Sequence, residues 1–266
     1  MPCKPAVPAR DRRSIPRFPR MPRYRFAVEY LGSAFAGWQV QPGQATVQGE
    51  LERALATCLR EPVTVIGAGR TDAGVHASGQ VAHFECASEI EPRRIQRSVN
   101  AITPEAVFIR ALEPCAPDFH ARYSALSRLY RYRIALRPTA LFAATSWHPG
   151  MPIDQDRFRA ALADVIGTHD FVNFSVPRDD GKSTACEVLR AEAGDDAAFL
   201  IVTLEANRFL HKMVRSIVGA AFDVARGAIP EGSLREILGG RFARERTWAP
   251  AQGLCLEKVA YKDYEY

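Results

Sequence analysis

The chain has 266 residues, of which 47% are hydrophobic and 24% charged, the composition of a globular protein of about two domains. Its formal charge of +5 arises entirely in residues 1–22, where six basic residues accompany one acid, so the rest of the chain is formally neutral. The total charge therefore does not indicate a nucleic-acid partner. No apolar run is long enough to span a bilayer.

The N-terminal residues 1–22 are predicted to form a flexible basic arm, because they contain six prolines and few large apolar side chains. The arm has two interpretations. It could tether RNA electrostatically, or it could be a dispensable extension that precedes a start at Met21, which is the interpretation we favour. Residues 1–20 lack the apolar segment of a secretion signal, so we expect a cytoplasmic location.

The six cysteines are widely spaced and form no C-x-x-C pair. This pattern argues against a zinc site, and a reducing compartment would keep the thiols free. We therefore expect neither a metal ion nor a cofactor.

The first half of the chain is predicted to alternate strands and helices. Residues 24–30 alternate in polarity like a half-buried strand. Thr46 is a plausible N-cap for a helix whose apolar residues follow at helical spacing, and Pro62 ends it. A strand at 63–66, a strand at 80–84, a helix at 93–100 and a strand at 106–112 complete an α+β pattern with helices on one face of a sheet.

The loop between the strands at 63–66 and 80–84 presents one carboxylate, that of Asp72, on a glycine-rich turn. Arg70 precedes it by two residues, and an arginine beside a carboxylate favours the ionised form. The pattern suits a nucleophilic carboxylate. It is also ordinary turn chemistry, so the residue types alone leave both interpretations open.

The second half again interleaves strands and helices. Strands are predicted at 129–136, 199–204 and 254–261, and helices at 158–166, 209–225 and 234–238. A duplicated architecture is consistent with this order. We place a domain boundary in the crossover, giving an N-terminal domain at 23–118 and a C-terminal domain at 119–266.

Two segments concentrate positive charge. Residues 122–137 contain five arginines and three tyrosines without an acid, a composition that suits RNA phosphates and unstacked bases. Strand alternation puts Tyr130 and Arg131 on opposite faces, and a half-buried strand with core tyrosines is an equally good interpretation. In the second segment, Arg208, Lys212 and Arg215 would share one face of the predicted helix, either as a solvated face or as an anion-binding surface.

The string GRTDAGVH around Asp72 resembles the active-site motif of the tRNA pseudouridine synthase A family. The resemblance covers about residues 24–261, with several independent motifs in the same order. Its other segments are Gly37-Trp38-Gln39, Thr46-Val47-Gln48, residues 119–122, 128–132, 170–174 and 207–215, Ala249-Pro250 and Gly253-Leu254.

The resemblance implies a fold of two similar α+β halves, each a mainly antiparallel sheet with helices on one face, around a central cleft. It implies that Asp72 is the catalytic nucleophile, that Tyr130 stacks on the target base, and that Arg215 keeps the carboxylate ionised. Arg70 would engage the RNA and Leu254 would line the uracil pocket. The remaining residues that we expect to bind RNA are Arg128, Arg131, Arg208 and Lys212.

The implied reaction converts uridine to pseudouridine at positions 38, 39 and 40 of the tRNA anticodon stem-loop. It needs no cofactor, and the family acts as a homodimer that binds tRNA across both subunits. The alternative is a non-catalytic RNA-binding or RNA-folding module that keeps the cleft. A third interpretation, a nucleoside hydrolase that uses Asp72, would release free uracil.

Overall fold

The computed structural model describes residues 21–177, 181, 183–241 and 247–266, so nearly all of the predicted arm lies outside the described residues. Strands and helices alternate along the chain. In order, they are β1 (Arg23–Tyr30), α1 (Val47–Leu59), β2 (Ile66–Gly67), β3 (His76–Glu85), α2 (Pro92–Ile102), β4 (Val107–Pro114), β5 (Ser127–Ala135), α3 (Gln155–Ala163), β6 (Gly167–Asp170), β7 (Ala185–Asp196), β8 (Phe199–Ala206), α4 (Met213–Ala225), α5 (Ser233–Leu238) and β9 (Leu254–Ala260).

The strands form one continuous sheet in the order β4-β1-β3-β9-β5-β8-β7-β6, with β2 on β3. All the pairings are antiparallel except that of β3 with β9. The predicted α+β class with a mainly antiparallel sheet is confirmed. The two halves share this sheet because β9, which follows every other strand in the sequence, pairs with β3 of the first half and β5 of the second.

Helix α1 forms where the sequence predicts it. The Thr46 hydroxyl accepts a hydrogen bond from the Gly49 backbone N–H at 3.3 Å, which satisfies one free donor of the first turn. Val47, Leu51 and Leu55 lie on its buried face. The helix thus anchors the segment that precedes the Asp72 loop.

Helix α4 begins four residues later than predicted, at Met213 instead of residue 209. Lys212, which precedes it, has a φ of 61°, a left-handed conformation that cannot continue a right-handed helix. The expectation that Arg208, Lys212 and Arg215 share a helix face is therefore wrong, because the first two lie in the preceding loop. That loop turns them towards the cleft described below.

Two further differences concern strands. Strands β6 and β7 were not predicted, and they form the edge of the sheet beyond β8. The predicted strand at 63–66 is reduced to Ile66–Gly67, since the Val65 N–H instead donates to the side chain of Glu52 at 2.9 Å. Val65 is thus held by a helix side chain, while Ile66 and Gly67, which directly precede the loop, pair with β3.

Candidate active site

The Asp72 loop is fixed by the segment that follows β1. The Trp38 N–H donates to the Thr71 carbonyl at 3.0 Å, and the Thr71 hydroxyl lies 2.8 Å from the Tyr30 hydroxyl. Gly37 has a φ of 105°, and a Cβ there would lie 2.8 Å from the Thr71 carbonyl oxygen. This close approach requires glycine and presents Asp72 on a backbone with little freedom to move.

The carboxylate of Asp72 has a basic side chain on each oxygen. Arg215 places a guanidinium nitrogen 3.5 Å from Oδ2, and His211 places Nε2 3.4 Å from Oδ1. Arg215 is held in turn by the Ala249 carbonyl, which accepts from its Nε at 2.7 Å. The pairing of Asp72 with Arg215 agrees with the resemblance. The sequence analysis did not predict the contact between His211 and Asp72. Its only signal was that His211 lies in the basic segment at 208–215.

The carboxylate faces a cleft of about 430 Å³ between the two halves of the sheet. Tyr130 and Leu254 both lie in its wall and are buried. The Tyr130 ring packs edge-on against Phe209, with ring centroids 5.1 Å apart. Burial raises the pKa of Tyr130, and the charge of Asp72 raises it further, so its phenol stays protonated.

The cleft is strongly positive. Among the described residues that line it, Asp72 is the only carboxylate. The basic lining residues besides His211 are Arg70, Arg122, Arg128, Arg208, Lys212 and Arg215. Positive charge in a concave site attracts polyanions and raises their rate of association. The cleft therefore suits a negatively charged substrate that places a neutral group against Asp72.

Arg128 lines the cleft, but its guanidinium is committed to the protein. It donates to the carbonyls of Arg122 at 2.6 Å, Asn207 at 2.9 Å, Ala68 at 3.1 Å and Ala125 at 3.3 Å. These four carbonyls belong to three separate segments. The geometry favours a structural role for Arg128 over the phosphate contact expected from the sequence.

Arg131 lies outside the cleft. It pairs with Glu257 at 3.1 Å, and both residues line a second hollow that Arg133 also lines. Alternation along β5 explains this position, since Tyr130 occupies the face that carries the cleft. Arg131 therefore does not line the cleft that contains Asp72, and its expected contact with RNA stays a prediction.

Within the described ranges, no group of three or more His, Cys, Asp or Glu side chains is arranged to hold a metal ion. No helix in that part of the chain is both long and apolar enough to cross a bilayer.

Comparisons with known proteins identify the family of the chain. A model of the tRNA pseudouridine synthase family matches residues 26–124 and 161–262. The chain belongs to the tRNA pseudouridine synthase family. Among the relatives named tRNA pseudouridine synthase A, that of Chlorobium luteolum is 40% identical over 91% of this chain and 97% of its own length. Those of Chlorobaculum tepidum and Klebsiella pneumoniae are 41% and 38% identical, covering 89% and 88% of this chain and 97% and 88% of their own.

The two matched blocks divide the candidate site. Asp72 lies in the first block, while Arg215 and Leu254 lie in the second. Tyr130 falls between the blocks, so its assignment depends on its position in the cleft wall and on the resemblance of residues 128–132. The family match thus covers the positions of Asp72, Arg215 and Leu254 without assigning them a role, and the roles stay predictions.

Proposed function

We propose that the chain is a tRNA pseudouridine synthase, an isomerase that converts uridine to pseudouridine at positions 38, 39 and 40 of the anticodon stem-loop. The observation that carries the proposal is one carboxylate, Asp72, paired with Arg215 inside a cleft whose other charged lining residues, among those described, are all basic. Phosphates of the RNA would contact the cationic rim, including Arg208 and Lys212. A neutral base could then reach the carboxylate.

The reaction breaks the N1–C1′ bond of uridine, turns the uracil and joins C5 to C1′. The proton lost from C5 is balanced by the one gained at N1, so no electrons and no water are consumed. We propose that Asp72 acts as the nucleophile, by adding to the sugar or to the base or by assisting elimination within the sugar. The Arg215 guanidinium, 3.5 Å from Oδ2, would hold the carboxylate in position in the cleft.

The target base must leave its stack before it can react, which costs a few kcal/mol. We propose that Tyr130 and Leu254 form the pocket that receives it, because both lie in the cleft wall beside Asp72. Stacking on the Tyr130 ring would return roughly 1–3 kcal/mol. We propose that Arg70, which lines the same cleft two residues before Asp72, engages the RNA as the base turns out. A closed pocket also excludes water, which would otherwise hydrolyse the nucleoside.

We further propose that the protein acts in the cytoplasm as a homodimer, as the resemblance implies. Light scattering coupled to size exclusion should give twice the chain mass at micromolar concentration. A monomer that retains full activity on tRNA would contradict the dimer without affecting the proposed chemistry.

The test of the proposed function is position-mapped pseudouridine formation on unmodified tRNA, with wild type, Asp72→Ala and Asp72→Asn. Asparagine is the matched control because it keeps the shape of the side chain and removes its charge. Product in the anticodon stem-loop from wild type alone would support the reaction and the role of Asp72. Tight binding without product from any of the three would favour the RNA-binding alternative, and free uracil would identify a hydrolase.

A further inference from the structure

Tyr123 lies at the mouth of the Asp72 cleft with 78% of its surface exposed. It is more exposed than any other aromatic side chain that the structure describes. Tyr130, by contrast, is buried in the wall of the same cleft. Most of this aromatic ring is therefore exposed to solvent beside a cationic cleft, and the chemistry proposed above gives it no role.

The Tyr123 ring is the outer member of a cluster of three aromatic rings, in which it lies tilted over His120 and His120 packs edge-on against His83. Its centroid lies 4.4 Å from that of His120 with a tilt of 34°, and His120 lies 4.9 Å from buried His83. The His120 Nδ1 accepts the backbone N–H groups of Arg122 and Tyr123 at 3.2 Å and 3.3 Å. The tyrosine ring is thus supported by His120, while most of its surface remains exposed to solvent.

The turn that carries the ring is anchored to the body of the protein. Ala121 donates its N–H to His83 at 3.1 Å, and its carbonyl accepts from the Tyr261 hydroxyl at 2.6 Å. Arg128 binds the Arg122 carbonyl at 2.6 Å. An aromatic side chain on so well-held a turn loses little conformational freedom when a partner docks on it.

We propose that Tyr123 is a stacking platform for an unpaired nucleobase of the RNA, next to the nucleotide that enters the cleft. Every nucleobase has a π-face, and proteins recognise unpaired RNA largely by stacking it on aromatic rings. The Arg122 guanidinium lies 5.9 Å from the same ring and can meet the attached phosphate. Tyr130 at the base of the pocket would serve the reacting uracil, and Tyr123 at the rim would serve its neighbour.

This inference rests on the proposed function, and its test keeps the two separate. Tyr123→Ala should raise the Kd and KM for tRNA by about 5- to 150-fold, the loss expected for one stacked base, with kcat at saturating tRNA unchanged. Tyr123→Phe keeps the ring and should bind as tightly as wild type. Tyr123→Leu keeps an apolar side chain without a π-system and should behave like alanine. Phe142→Ala, another exposed aromatic but outside the cleft, is the matched control and should have no effect.

Salt dependence distinguishes stacking from a phosphate contact. Tyr123→Ala should leave the slope of log Kd against log salt as in wild type, whereas Lys212→Ala should reduce it by about one. Tight binding by Tyr123→Leu, or weak binding by Tyr123→Phe, would overturn the stacking role. So would wild-type Kd and KM in Tyr123→Ala. Absence of pseudouridine from wild type would instead refute the proposed function.

Discussion

Replacing Arg128 by methionine should destabilise the fold by about 3 kcal/mol or more. The substitution keeps the length of the buried stem but removes the donor for the Arg122, Asn207 and Ala68 carbonyls, which lie 2.6–3.1 Å from the guanidinium. A buried acceptor left without a partner costs about 1–3 kcal/mol. The bond to Ala68 is buried and the other two are partly buried, so we take about 1 kcal/mol for each of the three. Urea unfolding followed by fluorescence measures the difference in free energy directly.

Arg131→Met is the matched control, three positions along the same strand. Its guanidinium is half exposed and makes one ion pair, with Glu257 at 3.1 Å, so the loss should stay within about 1 kcal/mol. If Arg128 were a phosphate ligand instead, Arg128→Met would fold almost as stably as wild type. It would then lose tRNA affinity together with about one unit of salt slope. That combination would refute the structural role.

Arg215→Ala should lower kcat by about 100-fold and tRNA affinity far less, because its guanidinium adjoins Asp72. Single-turnover rates on bound tRNA measure this effect. A wild-type rate together with weaker binding would contradict it. Burial lowers the pKa of His83 from 6.5 to about 4. Between pH 6.5 and about pH 4, the unfolded chain therefore binds more protons than the folded chain. The free energy of unfolding should fall as the pH drops through this range. The urea midpoint should depend less on pH in His83→Asn than in wild type. An equal pH dependence in the two proteins would refute the role of His83. Gly219→Ala should lower Tm, because the new Cβ would overlap the Thr247 carbonyl. The expected cost is roughly 1–3 kcal/mol, although alanine favours a helix more than glycine does. A raised Tm would contradict the close approach of Gly219 to Thr247.

The sequence correctly predicted features that depend on residues close together in the chain. The Thr46 cap and the apolar spacing of α1 are read within one helix, and the opposite faces of Tyr130 and Arg131 follow from alternation alone. Strand β7 was not predicted, because it is rich in alanine and acidic residues and lacks the apolar alternation of a buried strand. Its place is set by pairing with β8, a contact between segments.

The resemblance to a family predicted the site residues, but not the way in which they meet. Asp72 stands in one motif and Arg215 in another, and their approach depends on a loop and the first turn of helix α4, which are 143 positions apart in the sequence. The His211 contact and the commitment of Arg128 to backbone carbonyls depend on atomic positions that no spacing rule contains. Lys212 also adopts a left-handed conformation, which helix periodicity could not anticipate.

The position of β9 has a consequence for biosynthesis. A nascent chain that has been translated only as far as β8 contains both partners of β9 but lacks the strand that joins them. Its β3 and β5 edges would have unpaired backbone groups, which invite association with other chains. The Leu254 wall of the cleft would be missing as well. Ribosome-bound intermediates of this protein should therefore need protection by chaperones until β9 emerges, and catalytic competence should arrive in one late step.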